Sequence, residues 1–104
     1  MILEERDYHI VPGSMADFLH AYETLGLQIQ NDTLGGFVGH FVTEIGELSH
    51  VVALWRYESL RAREERRTVM LAHPGWARYL AAIKGMIVSQ QNRILTPTPL
   101  SPMR

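Results

Sequence analysis

The sequence predicts an α+β domain of ferredoxin-like type, a βαββαβ chain whose four strands form one antiparallel sheet with helices on one face. Three observations predict it. Extended runs rich in β-branched and aromatic residues alternate, in that order, with stretches of helical periodicity. Glycine and proline fall at the joints, at Pro12-Gly13, Gly35-Gly36, Gly46, Pro74 and Gly85. The 104 residues are enough for one domain, 1–104, and leave no room for a second.

Ile2 to Ile10 ends in β-favouring residues before Pro12-Gly13 and reads as the first strand despite its polar alternation. Ser14, with Asp17 three positions on, has the spacing of a capping box. Met15, Phe18, Leu19, Tyr22 and Leu25 then share one helical face, and Gly26 stands where a C-terminal cap would. Gly35-Gly36 reopens an extended run, Phe37 to Ile45, and Leu48 to Tyr57 is its hairpin partner. A two-residue loop at Gly46-Glu47 pairs Ile45 with Leu48, His40 with Ala53 and Val38 with Trp55. One hairpin face then carries Val38, His40, Val42, Val51, Ala53, Trp55 and Tyr57. The other carries Phe37, Phe41, Thr43, His50, Val52, Leu54 and Arg56. Both are largely apolar, so each calls for a cover.

Ser59 caps a second helix from Leu60 to about Ala72, with Arg61–Glu65 and Glu64–Arg67 at helical pairing distances. Pro74 restarts a helix with the stripe Trp76, Tyr79, Leu80, Ile83, and Gly85 ends it. Met86 to Leu95 is the last strand, and Pro97, Pro99 and Pro102 make residues 95–104 an extended tail. The helices cover one sheet face and nothing in the chain covers the other. A second copy is the simplest lid, and a homodimer also gives so short a chain more core.

Composition works by exclusion. At 46% hydrophobic and 20% charged residues, wholesale disorder is ruled out. A net charge of −1 argues against a strong nucleic-acid footprint, and no nucleic-acid partner is expected. With no cysteine there is no disulfide, thiolate nucleophile or Cys-zinc site. No apolar run approaches the ~20 residues of a membrane span, and Met1 to Glu5 lacks the basic start of a secretory signal. The expectation is a soluble cytoplasmic domain. Gly35-Gly36-Phe37-Val38-Gly39 opens a strand, not a helix, so it does not cradle phosphate. His40 and Glu44 lie about 13 Å apart along a strand, too far to hold one metal ion, and neither metal nor cofactor is expected.

Several blocks together resemble the NIPSNAP family nearly end to end. They are Arg6 and Tyr8 before Pro12-Gly13, Gly39 with Thr43-Glu44-Ile45-Gly46, the run Val51-Val52…Leu54-Trp55-Arg56-Tyr57-Glu58-Ser59-Leu60 with Arg63, Pro74…Trp76…Tyr79-Leu80, and Ser89-Gln90…Asn92-Arg93-Ile94-Leu95…Pro97. The Trp55 block and the Ser89-to-Leu95 block are the most specific. The resemblance implies a dimeric α/β barrel in which two ferredoxin-like sheets close face to face. It implies less about activity. The wider superfamily includes small monooxygenases, haem-degrading enzymes and isomerases, which work between sheet and helices or inside the barrel, while NIPSNAP proteins have no settled activity. One departure stands out. Family members commonly carry Asn-Gln-Val-Val-His-Leu-Trp where this chain has Ser49-His50-Val51-Val52-Ala53-Leu54-Trp55, so Ala53 replaces a histidine. The hairpin register sets His40 across from Ala53, near the vacated position.

Two functions follow. The first is a homodimeric barrel that binds a small apolar or aromatic ligand or a protein partner. The second is a metal-free small monooxygenase or isomerase-type enzyme with a pocket around His40, Trp55 and Arg6. In the enzyme reading His40 is the acid/base, Arg6 stabilises an oxyanion, Tyr8 donates a hydrogen bond and Trp55 stacks the substrate. Arg6 and Tyr8 share a face with Glu4 that is too polar for an ordinary core row; the structural alternative pairs Arg6 with Glu4 and bonds Tyr8 across a dimer. Trp55, Tyr57 and Val38, in phase with His40, either line a flat slot for an aromatic ligand or are core. His50 lies on the opposite face, and His9, His20 and His73 sit at element ends or on a helix. Asn92 and Arg93 point to opposite faces, and Arg93 is expected to pair with an acid on the neighbouring strand or the partner. The cluster Arg61 to Arg67, interleaved with Glu64 and Glu65, reads as a solvated helix face.

Overall fold

A computed structural model gives the architecture of residues 1–103. The chain runs β1 (Ile2–Ile10), α1 (Met15–Ala21), a π-helical turn (Tyr22–Gly26), α2 (Leu27–Thr33), β2 (Phe37–Val42), β3 (His50–Tyr57), α3 (Leu60–Ala72), α4 (Pro74–Ala82) and β4 (Ile87–Leu95). The strands form one sheet in the order β2-β3-β1-β4, with every neighbouring pair antiparallel. This is the ferredoxin-like arrangement expected from the sequence. The helices pack on one face, where alternate residues of β1 and β3 go under: Ile2, Glu4 and Arg6, and Val51, Ala53, Trp55 and Tyr57. Phe18, Tyr22, Trp76 and Tyr79 close the core from the helical side.

The helical caps divide instructively. Ser59 Oγ accepts from Ala62 N–H (3.1 Å), and Pro74 opens α4 behind a His73 cap whose Nδ1 accepts from Gly75 N–H (3.0 Å). His73, incidental in the sequence, is therefore a capping residue. Ser14 makes no side-chain cap; only its carbonyl accepts, from Phe18 N–H. Nor does Gly26 end the first helix, which continues to Thr33 through the π turn. A Cβ on Gly26 would meet the Tyr22 ring at 3.0 Å and the Tyr79 ring at 3.1 Å, so this glycine admits two aromatic rings against the backbone. The true reversal lies at Gly35-Gly36, both at positive φ, and a Cβ on Gly36 would collide with the Arg56 carbonyl.

The hairpin keeps the expected His40–Ala53 register but not the expected turn. Pairing stops at Val42–Val51, beyond which Thr43 N–H donates to His50 C=O (3.1 Å), and residues 43–49 form a longer loop with Gly46 and Ser49 at positive φ. Ile45 and Leu48 are exposed there rather than paired, so closing the strands to the tip would bury little. At the other end a β-bulge shifts the register between Phe37 and Gly39. Phe37, not Val38, stands opposite Trp55, with ring centroids 4.7 Å apart.

Among the described residues no element covers the second sheet face, where Phe41 is 54% exposed and Ser89 and Gln91 are exposed. That face is less apolar than the hairpin alone suggested, because β1 and β4 bring charge to it. Glu5 accepts from Arg93 (3.0 Å), Asp7 pairs with His50 (2.7 Å), and the His9 and His50 rings stack at 4.6 Å. After Leu95 the chain leaves the sheet, and a turn closed by Ser101 N–H on Thr98 C=O interrupts the tail expected to run extended. No helix among the described residues is long and apolar enough to cross a membrane.

Candidate functional site

A cavity of about 220 Å³ lies between the sheet and the helical layer. Its floor follows from register. Arg6 on β1 pairs with Ala53 on β3, and Ala53 with His40 on β2, so the three form one row across the sheet. The strand spacing of about 4.8 Å sets the Arg6 and His40 backbones roughly 10 Å apart with only a methyl group between them. A histidine at position 53 would fill this hollow. Tyr8, Trp55 and Gln90 complete the floor. The first helix supplies Phe18, Tyr22 and Gln30, α3 supplies Arg67 and Leu71, and α4 and its end supply Trp76, Tyr79, Leu80 and Ile83. Leu71, Leu80 and Gln90 are exposed and mark the mouth.

The polar groups fall into two sets. The first is built around paired groups. Glu4, fully buried, accepts from Arg6 Nη1 (3.0 Å) and twice from Arg63 of α3, at 3.0 Å from Nε and 2.8 Å from Nη2. Burial pushes the Glu4 carboxyl up, but the Arg63 hydrogen bonds and the Arg6 and Arg63 charges outweigh it and hold it below its ordinary value. Arg6 Nε donates to the Tyr8 hydroxyl (2.8 Å), leaving that hydroxyl its own proton to give. With its amide oriented to satisfy its neighbours, Asn92 on β4 accepts from Arg6 Nη1 (3.0 Å). Opposite, the Tyr22 hydroxyl donates to Gln30 Oε1, and burial raises the pKa of the Tyr22 and Tyr79 phenols.

The second set is unpaired. Trp55 Nε1 and Arg67 Nη1 are shielded from solvent and have no hydrogen-bond partner. Burial, then the like charge of Arg6, lowers the Arg67 pKa. His40 stacks flat on the Tyr22 ring (4.7 Å, 11°), and desolvation lowers its pKa, so a neutral imidazole lines the cavity at pH 7.

The structure thus brings Arg6, Tyr8, His40 and Trp55 to one cavity. Val38 and Tyr57 lie elsewhere. The bulge leaves Val38 half exposed on the edge strand. Tyr57 is buried next to an open groove by Gly35-Gly36, with Arg66 over its ring at 5.9 Å. Its hydroxyl, unpartnered and buried, is pushed up to about 12. Arg67 is the residue that sequence reasoning missed. The solvated reading of α3 fits Arg61–Glu65 (3.2 Å), but Arg63, Arg67 and Met70 form a stripe turned to the sheet. Helical spacing of two arginines with one buried methionine, and no apolar residue to replace them, was the available signal. Among the described residues no three His, Asp or Glu side chains converge as metal ligands would.

Fold and site together define a ferredoxin-like α+β domain with an aromatic-walled cavity between its sheet and its helices. The NIPSNAP family model matches residues 3–102, and the chain belongs to that family. It is 42% identical to a NIPSNAP family protein of Agrobacterium tumefaciens, over 99% of this chain and 98% of that one, with a TM-score of 0.94. To Protein NipSnap homolog 2 of Danio rerio it is 31% identical over 99% of its length and 35% of that protein. To Protein NipSnap of Drosophila melanogaster it is 32% identical over 97% and 36%. The chain thus spans about a third of these animal relatives. An antibiotic biosynthesis monooxygenase matches with a TM-score of 0.66 and 14% identity, over 95% of this chain and 100% of that one, a likeness of fold alone.

Proposed function

We propose that this protein is a homodimeric NIPSNAP domain that binds a small aromatic or apolar molecule between its sheet and its helices, the second copy covering the open sheet face. The cavity carries the reading. Rings of Tyr22, Trp55, Trp76 and Tyr79 enclose it, and His40, Arg6 and Tyr8 provide a few polar groups on one side, the usual composition of a small-molecule site. A second reading, a metal-free monooxygenase or isomerase-type enzyme, draws on His40. A neutral imidazole faces the cavity across Ala53 from Arg6, whose Nε holds the Tyr8 hydroxyl. In that reading His40 takes a proton from carbon while Arg6 and Tyr8 stabilise the oxygen that gains charge.

Native mass spectrometry tests both parts. The protein, at micromolar concentration, is mixed with single-ring aromatic carboxylates and their neutral amides. The expected result is a dimer that retains at least one of these probes, and an Ala53→Trp dimer, its hollow filled, that retains none. A wild-type protein that binds no member of the set overturns the cavity reading, and a monomer alone removes the homodimer. Turnover of a bound probe that His40→Phe abolishes while binding persists would favour the enzyme.

A further inference from the structure

We propose that the cavity's ligand is an organic anion, an aromatic ring carrying a carboxylate or enolate oxygen, held by Arg67 with the Trp55 indole N–H as second donor. This deepens the preceding proposal and rests on the cavity being the ligand site.

Trp55 Nε1–H and Arg67 Nη1–H can only donate. Both belong to residues that line the cavity, both are closed off from solvent, and neither has a partner. Neither bonds the acceptors nearby: Gln30 Oε1 accepts from the Tyr22 hydroxyl, the Glu4 oxygens accept from Arg6 and Arg63, and the Tyr57 hydroxyl, which feels the Arg67 charge, is itself unpartnered and, being neutral, would not balance that charge. No carboxylate ion-pairs with Arg67 among the described residues, although the exposed Arg61 and the half-buried Arg66 of the same helix pair with Glu65 and Glu58. Three guanidinium groups, of Arg6, Arg63 and Arg67, therefore face the single charge of Glu4. An unpaired buried donor and an uncompensated cation destabilise a fold, and a guanidinium cannot shed its proton to escape. A water molecule would satisfy the N–H groups but not the charge. A bound anion does both, and its ring fills the aromatic part of the cavity. The half-buried Arg67 side chain, at the second turn of α3, stands between the mouth residue Leu71 and the closed Glu4 cluster, so an anion enters without displacing either pairing.

The test compares two probes that differ in charge but hardly in shape, 3-phenylpropionate and 3-phenylpropanamide. Binding is followed by tryptophan fluorescence, since Trp55 and Trp76 are the only tryptophans and both line the cavity. Wild type is expected to bind the acid at least about tenfold more tightly than the amide. Arg67→Met is expected to lose that preference, keep its affinity for the amide, and melt no lower than wild type, because it removes an unpaired charge. Arg67→Gln, which keeps a donor without the charge, reads the same ratio if the methionine variant does not fold. Equal binding of both probes to wild type, or an acid preference that survives in the Arg67 variants, overturns the anion while leaving the cavity as a ligand site. A lower melting temperature in both Arg67 variants would show the guanidinium already paired and also overturn it. Failure of both probes to bind ends the cavity reading and this proposal together.

Discussion

Two arginine environments a few residues apart on the same sheet–helix boundary are built in opposite ways. At the Glu4 cluster, two guanidinium groups share one buried carboxylate, the carboxylate accepts three hydrogen bonds, and Tyr8 and Asn92 take further Arg6 donors. One turn along α3, Arg67 has no such partner and the neighbouring Trp55 N–H has none either. The chain builds a closed polar cluster around Glu4 at this boundary, whereas Trp55 Nε1 and Arg67 Nη1 beside the cavity have no partner. The saturated groups tie β1 to α3, and on the reading proposed above the unsaturated ones are where an anion binds.

The sharpest way to break this contrast is at its closed end. Glu4→Gln keeps the shape and removes the charge that Arg6 and Arg63 converge on. Taking one partner from a buried pair usually costs about 3–5 kcal/mol, and the partly accessible Arg63 can relax toward water, so about 3 kcal/mol is expected by urea denaturation. A loss below about 1 kcal/mol would mean that the cluster is not structural, and the distinction between the two environments would collapse.

A smaller effect comes from the cavity side and is read by pH. The folded-state pKa of His40 lies below its ordinary 6.5, so the unfolded chain takes up a proton first as pH falls. Its contribution to stability is complete above pH 6.5 and is lost on the way down toward the folded value. Glu4 acts lower: its contribution is complete above 4.5 and lost as pH falls through a folded value beneath that. Melting curves from pH 8 to pH 5 should therefore show a decline that His40→Phe flattens, well before the Glu4 loss begins. An unchanged slope in His40→Phe would mean that the imidazole is solvated and not the neutral group that the cavity reading uses.

How much of this was visible in the sequence depended on whether burial or partner choice decided the outcome. Ser59, Pro74 and the Trp76–Tyr79 stripe placed α3 and α4, because caps and periodicity are local. The His40–Ala53 register was legible even though the loop was not: opening the last pairs beyond Val42–Val51 lengthens the turn without sliding the strands. Val38 was misplaced because a bulge inserts a residue that alternation cannot reveal. Gly26 looked like a stop signal, and only the rings of Tyr22 and Tyr79 show why it is a packing position. Arg6 and Tyr8 were legible as polar residues on a strand face that should be core, and His40 and Trp55 by their shared phase in the hairpin. Arg67 was hidden by the glutamates around it, since charge pattern along a helix says nothing of which arginine the buried Glu4 will leave unpaired.

The smallest effect belongs to the neighbour of Glu4. Glu5 lies one residue on and faces the other side of the sheet, where Arg93 of β4 donates to both its oxygens at 3.0 and 3.1 Å. The pair has the residue types and distances of the buried cluster but sits in water, with the Arg93 side chain 66% exposed. An exposed ion pair contributes about 0.2–1 kcal/mol, so Arg93→Ala should lower the stability of an uncovered chain by about 0.5 kcal/mol, independently of protein concentration. If a second copy closes over this face, the pair is desolvated in the assembly. The same substitution then lowers the melting temperature more at low protein concentration than at high, because it acts on association as well as folding. One variant measured at two concentrations thus separates a pair that only decorates the sheet from one that the partner subunit buries.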